Sequence, residues 1–367
     1  MAGSLLPAGL GDNIRCLDDG MAGGLWAGAP PPWQKDNTTM QVYRGFQHPG
    51  VAKACAVTIG NFDGVHRGHQ AMLALLRAEA LQRNIPSCVL TFEPHPRDFF
   101  AGQRRQPALA PARVGTLRDK LVDLAQAGVH QTVVLPFNMA LAARSPEEFI
   151  RTVLCDGLGA RYVLVGDDFR FGAGRAGDYA VLDAAGDRLG FDVARMNSYE
   201  VHGLRVSSSA VREALGQGRM QDAARLLGRP YTISGHVVHG RKLGRSLGFK
   251  TLNLRFDHWK PAASGIFVVL LHGLTESPLQ GVANLGVRPS LDPNDVNGGR
   301  VLLETHCLNW PASLGPEGGY GKIVRVELLH KLHDERKYDG LDALIEGIRQ
   351  DRDDARAWLS DHLRSRI

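Results

Sequence analysis

The stretch Val57 to Gln70 reads V-T-I-G-N-F-D-G-V-H-R-G-H-Q, and it constrains this chain more than any other. An apolar run before it, Ala54 to Ile59, reads as a buried strand, and after it Met72, Leu75, Leu76 and Ala80 recur at helical spacing. The motif is therefore the turn from a first strand to a first helix. In an open α/β sheet such a turn lies at the carboxyl end of the strands, where ligands bind. Gly60, Gly64 and Gly68 let backbone come close to a ligand, and His66 and His69 fall where the helix begins, beside its unpaired N–H groups and positive dipole end. Two imidazoles so placed suit a polyphosphate. A histidine in such a turn also works as a cap or a packed ring, so residue type alone leaves both readings open.

The whole string is more specific than its histidines. It resembles the G-x-F-D-G-x-H-x-G-H signature of the nucleotidyltransferase superfamily, and in particular of the bacterial bifunctional riboflavin kinase/FAD synthetase family. The resemblance implies that His66 and His69 contact the phosphates of ATP during adenylyl transfer, and that Gly60, Phe62, Asp63 and Gly64 shape the nucleotide site.

At 367 residues the chain exceeds the roughly 250 at which single cores stop growing, which predicts two domains. From Ala54 to Leu227 strands and helices alternate, the pattern of a parallel sheet wrapped by helices. Strands are expected at Ala54 to Ile59, Ser87 to Phe92, Gln131 to Leu135, Tyr162 to Val165 and Asp192 to Met196, with helices at Gln70 to Arg83, Thr116 to Ala127, Pro146 to Leu154 and Asp178 to Leu189. Ser145-Pro146-Glu147-Glu148 carries a capping hydroxyl, a first-turn proline and acids at the positive end of one of these helices.

Three more loops fall at strand ends. Thr91-Phe92-Glu93-Pro94-His95-Pro96 is stiffened by its prolines, and the resemblance implies that His95 lines the nucleotide and flavin site. Gly166-Asp167-Asp168-Phe169-Arg170-Phe171-Gly172 resembles the family's G-x-D/N-F-x-F-G loop and puts Asp168 near the metal or the flavin phosphate. Val206-Ser207-Ser208-Ser209-Ala210-Val211-Arg212 resembles I-S-S-T-x-I-R, in which the hydroxyls, here Ser208 and Ser209, and the forked cation Arg212 bind ATP phosphates. Gly172, Gly174 and Gly177 also spell G-x-G-x-x-G. That string should open a helix directly after a strand, yet Gly166 to Phe171 intervene, which argues against a dinucleotide-binding oxidoreductase.

After Gly228-Arg229-Pro230 the chain changes character. Strand-like segments at Tyr231 to His239, Gly265 to Leu271, Gly281 to Asn284, Val301 to His306 and Lys322 to Leu329, with Gly-rich turns, predict an antiparallel barrel, and Leu344, Ile345, Ile348, Ala355 and Leu359 predict a terminal amphipathic helix over Leu341 to Leu359. The fold class expected is α/β plus β: a Rossmann-like nucleotidyltransferase sheet over residues 40–227, then a riboflavin-kinase barrel with its terminal helix over 228–367.

The barrel opens with Gly235 to Phe249, then Lys250-Thr251-Leu252-Asn253. It only narrowly misses a Walker A loop and instead resembles the riboflavin kinase signature G-x-V-x-x-G-x-x-x-G-R-x-L-G-F-P-T-A-N. The resemblance implies that Gly244 and Arg245 help bind the nucleotide and that Thr251 and Asn253 meet magnesium and the ATP phosphates, oxygen being the ligand a hard cation takes. Lys250 and Leu252 depart from it, which leaves a nucleotidyltransferase with a weakened kinase barrel as an alternative. Gly281 to Ser290 resembles G-V-A-N-I-G-x-R-P-T, and Leu303-Glu304-Thr305-His306 resembles L-E-x-H, in which Glu304 is the general base for the riboflavin 5′-hydroxyl. An inactive flavin or nucleotide sensor is a further alternative, and a retained Glu304 speaks against it.

The expected substrates and products are ATP, riboflavin, FMN and FAD, with Mg2+ as cofactor. A formal charge of +5 fits phosphate ligands and is too small to argue for nucleic acid, and no apolar run approaches the roughly 18 residues of a membrane helix. Five scattered cysteines without a C-x-x-C pair point to a reducing cytoplasm. Residues 1–39 are rich in Gly, Ala and Pro and lack a sustained period. They are expected to be a disordered tail, or to lie upstream of a true start at Met40.

Overall fold

The computed structural model describes residues 14–17, 39–201, 204–239, 249–256, 260–288 and 300–363. Contacts divide the chain into two compact units, Met1–Gln103 with Lys120–Val206, and Arg104–Asp119 with Ser207–Ile367.

The first unit is built on seven parallel strands: β1 (Ile14–Leu17), β2 (Met40–Arg44), β3 (Ala56–Ile59), β4 (Ser87–Glu93), β5 (Gln131–Pro136), β6 (Tyr162–Gly166) and β7 (Asp192–Met196). Their order is β1-β2-β5-β4-β3-β6-β7. All four residues of β3 are buried, as a strand covered on both faces requires. Val57 and Ile59 join Leu90, Val133 and Leu182 in one apolar cluster, whereas Ala56 joins Leu164, Leu76 and Ala80 in another. Leu76 and Ala80 belong to the first helix, α1 (Arg67–Gln82), so the predicted helical stripe meets the sheet. From β3 the chain steps outward through β4 to β5, then returns to the opposite side of β3 as β6. The turn after β3 therefore sits at the topological switch point, where an open sheet leaves a crevice.

Further helices of this region are α2 (Pro96–Gln103), α3 (Leu117–Gln126), α4 (Pro146–Phe149) and α5 (Tyr179–Leu189), with one more helical turn at Met139–Ala142. Ser145 and Glu148 form the reciprocal capping box at the start of α4, and a π-helical stretch, Ile150–Gly157, carries the chain onward. The glycines of the misleading G-x-G-x-x-G build a tight turn instead. Phe171 and Gly177 pair antiparallel, and a Cβ at Gly177 would come within 2.7 Å of the Phe171 ring. One expectation is corrected at the amino terminus, because Ile14–Leu17 pairs in parallel with Met40–Tyr43. Four residues are too short for a readable period, and the open edge of β2 supplies the backbone partners that order them.

The short hairpin β8 (Glu200–Val201) and β9 (Leu204–Arg205) precedes two helices, α6 (Ser208–Gly216) and α7 (Met220–Leu227). Six further strands then close into an antiparallel barrel: β10 (Thr232–Val238), β11 (Thr251–Arg255), β12 (Gly265–His272), β13 (Leu279–Arg288), β14 (Arg300–Cys307) and β15 (Ile323–His333), in the order β10-β11-β14-β13-β12-β15. Val211, Leu215, Ala223 and Leu227 share an apolar cluster with barrel residues such as Leu254, Phe267, Leu285 and Val326. Helices α6 and α7 consequently pack with the barrel, whereas the sequence assigns them to the first domain. The segment 112–114 joins them: the Arg113 N–H donates to the Lys260 carbonyl and the Ala262 N–H to that of Arg113. The terminal helix α8 (Leu341–Leu363) buries Ala355 and Leu359 against Val268 and Leu308, and His333 bonds Asp351 at 2.6 Å.

Asp119 is the polar anchor of this second unit. One carboxylate oxygen accepts from the Thr116 N–H and hydroxyl, at 3.0 and 2.7 Å, and the other accepts from the Ser234 N–H at 3.0 Å and from the Ser234 hydroxyl. Burial nevertheless raises its carboxyl above the usual range, against the pull of these donors. Asp119→Ala strands buried backbone donors in both the helix start and β10, and is expected to cost about 2–4 kcal/mol in a denaturant melt. A loss below about 0.5 kcal/mol would show that the anchor is dispensable.

Candidate functional site

In the first unit, the predicted residues gather at the switch point. His66 is the N-cap of α1, and its Nδ1 accepts the His69 N–H at 3.3 Å. A neutral His66 so bonded carries its proton on Nε2, a donor suited to a phosphate oxygen. The two imidazoles stack with centroids 3.7 Å apart, and the Phe62 ring lies 4.8 Å from that of His69. Gly68 is needed for this approach, because a Cβ there would stand 3.2 Å from His66 Nδ1. Phe62, Asp63 and His66 are buried, and Phe62, Gly64 and Val65 all take positive φ, of 48°, 85° and 38°. A β-branched residue in that region is strained, and such strain concentrates at functional turns. The cap and packed-ring readings of the sequence are thus both realised, in a geometry that keeps the phosphate reading open.

On the neighbouring strand end, buried His95 repeats the device. Its Nδ1 accepts the Arg97 N–H at 3.1 Å where α2 begins, and its carbonyl accepts the Phe99 N–H. The prolines that read as a stiff connection in fact lead into this helix, with Pro96 in its first turn. Sequence reasoning missed what α2 carries. Phe99 and Phe100 pack edge-on against Phe137, which also meets Phe92, with centroids 5.5 to 5.8 Å apart. The adjacent phenylalanines after a proline-fixed turn were the available signal. Buried Lys120 places its Nζ 3.4 Å from the Thr91 hydroxyl, which in turn donates to the Asn61 carbonyl in the histidine turn. Asp168 follows β6 on the other flank. It is exposed, with its carboxylate 3.6 Å from Arg205, while the Ser198 hydroxyl and then Arg205 hold neighbouring Asp167 below the usual carboxylate range.

Ser208, Ser209 and Arg212 belong to the second unit. The cap of α6 is Ser207, whose hydroxyl accepts the Ala210 N–H at 3.2 Å, so Ser208 and Ser209 keep first-turn positions beyond the cap. Arg212 directs its Nε to the Ala112 carbonyl at 2.7 Å.

The barrel brings Thr251, Asn253 and Glu304 onto one face. In its antiparallel register Asn253 stands opposite Glu304, and Thr251 opposite His306. Their alternating neighbours Leu252, Leu254 and Leu303 point into the barrel core, so Thr251, Asn253, Glu304 and His306 share the outer face. Asn253 is buried and Thr251 and Glu304 are half-buried. Burial, with Arg352 and Arg356 adding to it, pushes the His306 imidazole below its usual range, opposed by the Lys250 carbonyl that accepts from its ring. Gly244 and Arg245 lie outside the described residues.

The two departures from the family pattern have structural explanations. Leu252 fills the barrel core, where a Cβ at Gly319 would come within 2.9 Å of it, so a large residue faces a small one. Lys250 holds its ammonium 3.6 Å above the Trp310 ring and 3.4 Å from the Gly315 carbonyl, which also accepts from Trp310 Nε1. That cation–π contact anchors the backbone entering Thr251, a role the family gives to proline.

A parallel sheet with a histidine-capped turn at its switch point, followed by a closed barrel with a carboxylate and hard oxygen donors on one face, defines a two-domain transferase acting on phosphate-bearing substrates. Residues 48–210 match the FAD synthetase family model and residues 227–359 the riboflavin kinase family model. The chain is 41% identical over 322 residues to the bifunctional riboflavin kinase/FMN adenylyltransferase of Escherichia coli strain K12, covering 87% of this chain and 98% of that one. It is 39% identical to the enzyme of the same description from Haemophilus influenzae, covering 88% and 100%. A crystal structure described as a macrolide-efflux protein from Streptococcus pneumoniae superposes with a TM-score of 0.67 at 25% identity, over 86% of this chain and 98% of that one. The chain belongs to the bifunctional riboflavin kinase/FMN adenylyltransferase family.

The cap and the chemistry of His66 separate by substitution. His66→Ala removes the cap acceptor and is expected to cost about 1 kcal/mol, whereas His66→Asn keeps an acceptor there and should melt within about 0.5 kcal/mol of wild type. Equal melting temperatures for alanine and wild type would remove His66 as the cap.

Proposed function

We propose that the two activities of this family run on separate residues of this chain. At the barrel, Glu304 accepts the 5′-hydroxyl proton of riboflavin as that oxygen attacks the γ-phosphorus of ATP, giving FMN and ADP. Thr251 and Asn253 hold the phosphate end of the nucleotide. Two neutral oxygens do not bind a cation strongly alone, and among the described residues no group of three His, Cys, Asp or Glu stands ready to hold one. That donor set fits Mg2+ carried largely by nucleotide phosphates and water, where it would offset the phosphate charge. The observation that carries this reading is the register that sets Asn253 directly opposite Glu304 on one face.

At the parallel sheet, the phosphate of FMN attacks the α-phosphorus of a second ATP and pyrophosphate leaves. That nucleophile is already ionised, so no general base is required. His66 and His69 position the triphosphate and stabilise its developing charge, and the family resemblance gives Arg212, Ser208 and Ser209 phosphate-binding roles. The start of α1, capped by His66, adds backbone donors and a positive dipole end. His95 and Asp168 border the same crevice on its two flanks, and the Phe92, Phe99, Phe100 and Phe137 cluster offers ring edges and faces for the flavin. We place the enzyme in the cytoplasm, where ATP is made and where its scattered cysteines stay reduced; among the described residues no helix is long and apolar enough to cross a membrane.

The assay resolves riboflavin, FMN and FAD by chromatography after incubation with ATP and magnesium. His69→Ala should lower FAD formation by about 10²–10³ and leave FMN formation within about twofold of wild type. Glu304→Gln should lower riboflavin phosphorylation by about 10²–10⁴ while added FMN still becomes FAD. Equal loss of both activities in a folded variant would overturn the two-site assignment, and wild-type phosphorylation by Glu304→Gln would remove it as the base.

A further inference from the structure

The register of β14 places Glu304 between two amides. Asn253 of β11 lies opposite it on one side and Asn284 of β13 on the other. The neighbours of Asn284 in sequence, Ala283 and Leu285, point into the barrel core. Asn284 thus shares the outer face with Glu304 and Asn253, in one row across three adjacent strands. Its Oδ1 is buried and, among the described residues, has no hydrogen-bond partner. An amide oxygen only accepts, so what completes it is a hydroxyl, an N–H or a cation.

Spacing decides among these. Strands lie about 4.8 Å apart, which sets Asn284 roughly 9.6 Å from Asn253 across the row. Two ligands of one Mg2+ stand no more than about 4.2 Å apart, twice the metal–oxygen distance, and on the convex outside of a closed barrel two asparagine side chains diverge rather than close that gap. Phosphate oxygens are acceptors too and repel an amide oxygen. The face is also bounded along the strand. Val282 packs in the apolar cluster under α8, and at Gly286 the Glu335 carboxylate stands 2.7 Å at its carbon from where a Cβ would be. What remains is a donor adjoining the group that Glu304 deprotonates.

We infer that Asn284 is a substrate-positioning residue of the kinase, whose Oδ1 accepts a hydrogen bond from a secondary hydroxyl of the ribityl chain of riboflavin. The inference rests on the proposed reading of Glu304 as the base at the 5′-hydroxyl. With the nucleotide on the Asn253 side and the polyol on the Asn284 side, the acceptor aligns the terminal hydroxyl between base and phosphate. It also makes the barrel select a flavin bearing a polyol over a bare isoalloxazine.

The test uses the full chain with Asn284→Ala, and Asn284→Ser as a smaller change, each checked by a thermal melt. Riboflavin affinity is read from quenching of flavin fluorescence without ATP, and kinetics are run with riboflavin and with analogues lacking the 3′- or the 4′-hydroxyl. Loss of one neutral hydrogen bond should weaken riboflavin binding and raise its KM about three- to tenfold, with the KM for ATP unchanged. One of the two analogues should bind wild type and Asn284→Ala equally, because the bond is already missing. Unchanged riboflavin affinity, a raised KM for ATP instead, or an equal loss with riboflavin and both analogues would each overturn the inference. If alanine does not fold, the same measurements on Asn284→Ser decide. Failure of Glu304 as the base is read separately, from turnover by Glu304→Gln, and does not alter the binding measurement on Asn284.

Discussion

The hydrogen bond from the His69 N–H to His66 Nδ1 caps α1 where it begins, and the proposed adenylyl-transfer site depends on that starting point. A helix that began one residue later would rotate its first turn by about 100° and carry His69 off the crevice. The cap is possible only because Gly68 leaves room for the His66 ring and because Gly64 and Val65 accept a left-handed backbone on the way in. The sheet supplies the other constraint. Because β3 lies where the strand order reverses, the turn after it opens between the loops that follow β4 and β6 rather than against a packed neighbour.

The barrel reaches a comparable result by a different periodicity. Strand side chains alternate, so a core built from Leu252, Leu254, Leu303, Ala283 and Leu285 forces Asn253, Glu304 and Asn284 together onto the outer face. A slip of one residue in any of the three strands would bury a polar group in the core and break up the row. The apolar interior therefore fixes the polar exterior, which is why Lys250 and Leu252 leave the arrangement intact. One inserts a leucine opposite a glycine, and the other holds the strand entrance by an aromatic contact.

Long strings were legible in the sequence; short or shared elements were not. The turn Gly60 to His69 and the strands at Ser87, Gln131, Tyr162 and Asp192 could be read because glycine spacing and continuous apolar runs have few alternatives. The strand Thr251–Arg255 was hidden because its five residues read first as the end of a kinase motif, and α2 because its prolines signal a turn before they signal a helix start. The assignment of α6 and α7 depends on which surface their apolar faces meet, and a helical stripe does not say what it will pack against. In the candidate sites, residue types and family motifs pointed to His66, His69, Thr251, Asn253 and Glu304. The ring stacking and the buried amide oxygen of Asn284 exist only once the chain is folded.

The central claim is that one chain carries two separate sites linked by FMN released from the first and taken up by the second. It is tested most directly by mixing His69→Ala with Glu304→Gln and supplying riboflavin, ATP and magnesium. Each variant alone should make little or no FAD. Together they should make FAD after a lag in which FMN builds up, because the first variant supplies the FMN that the second adenylylates. A mixture that makes FMN but no FAD, with Glu304→Gln still active on added FMN at the concentration reached, would contradict the account.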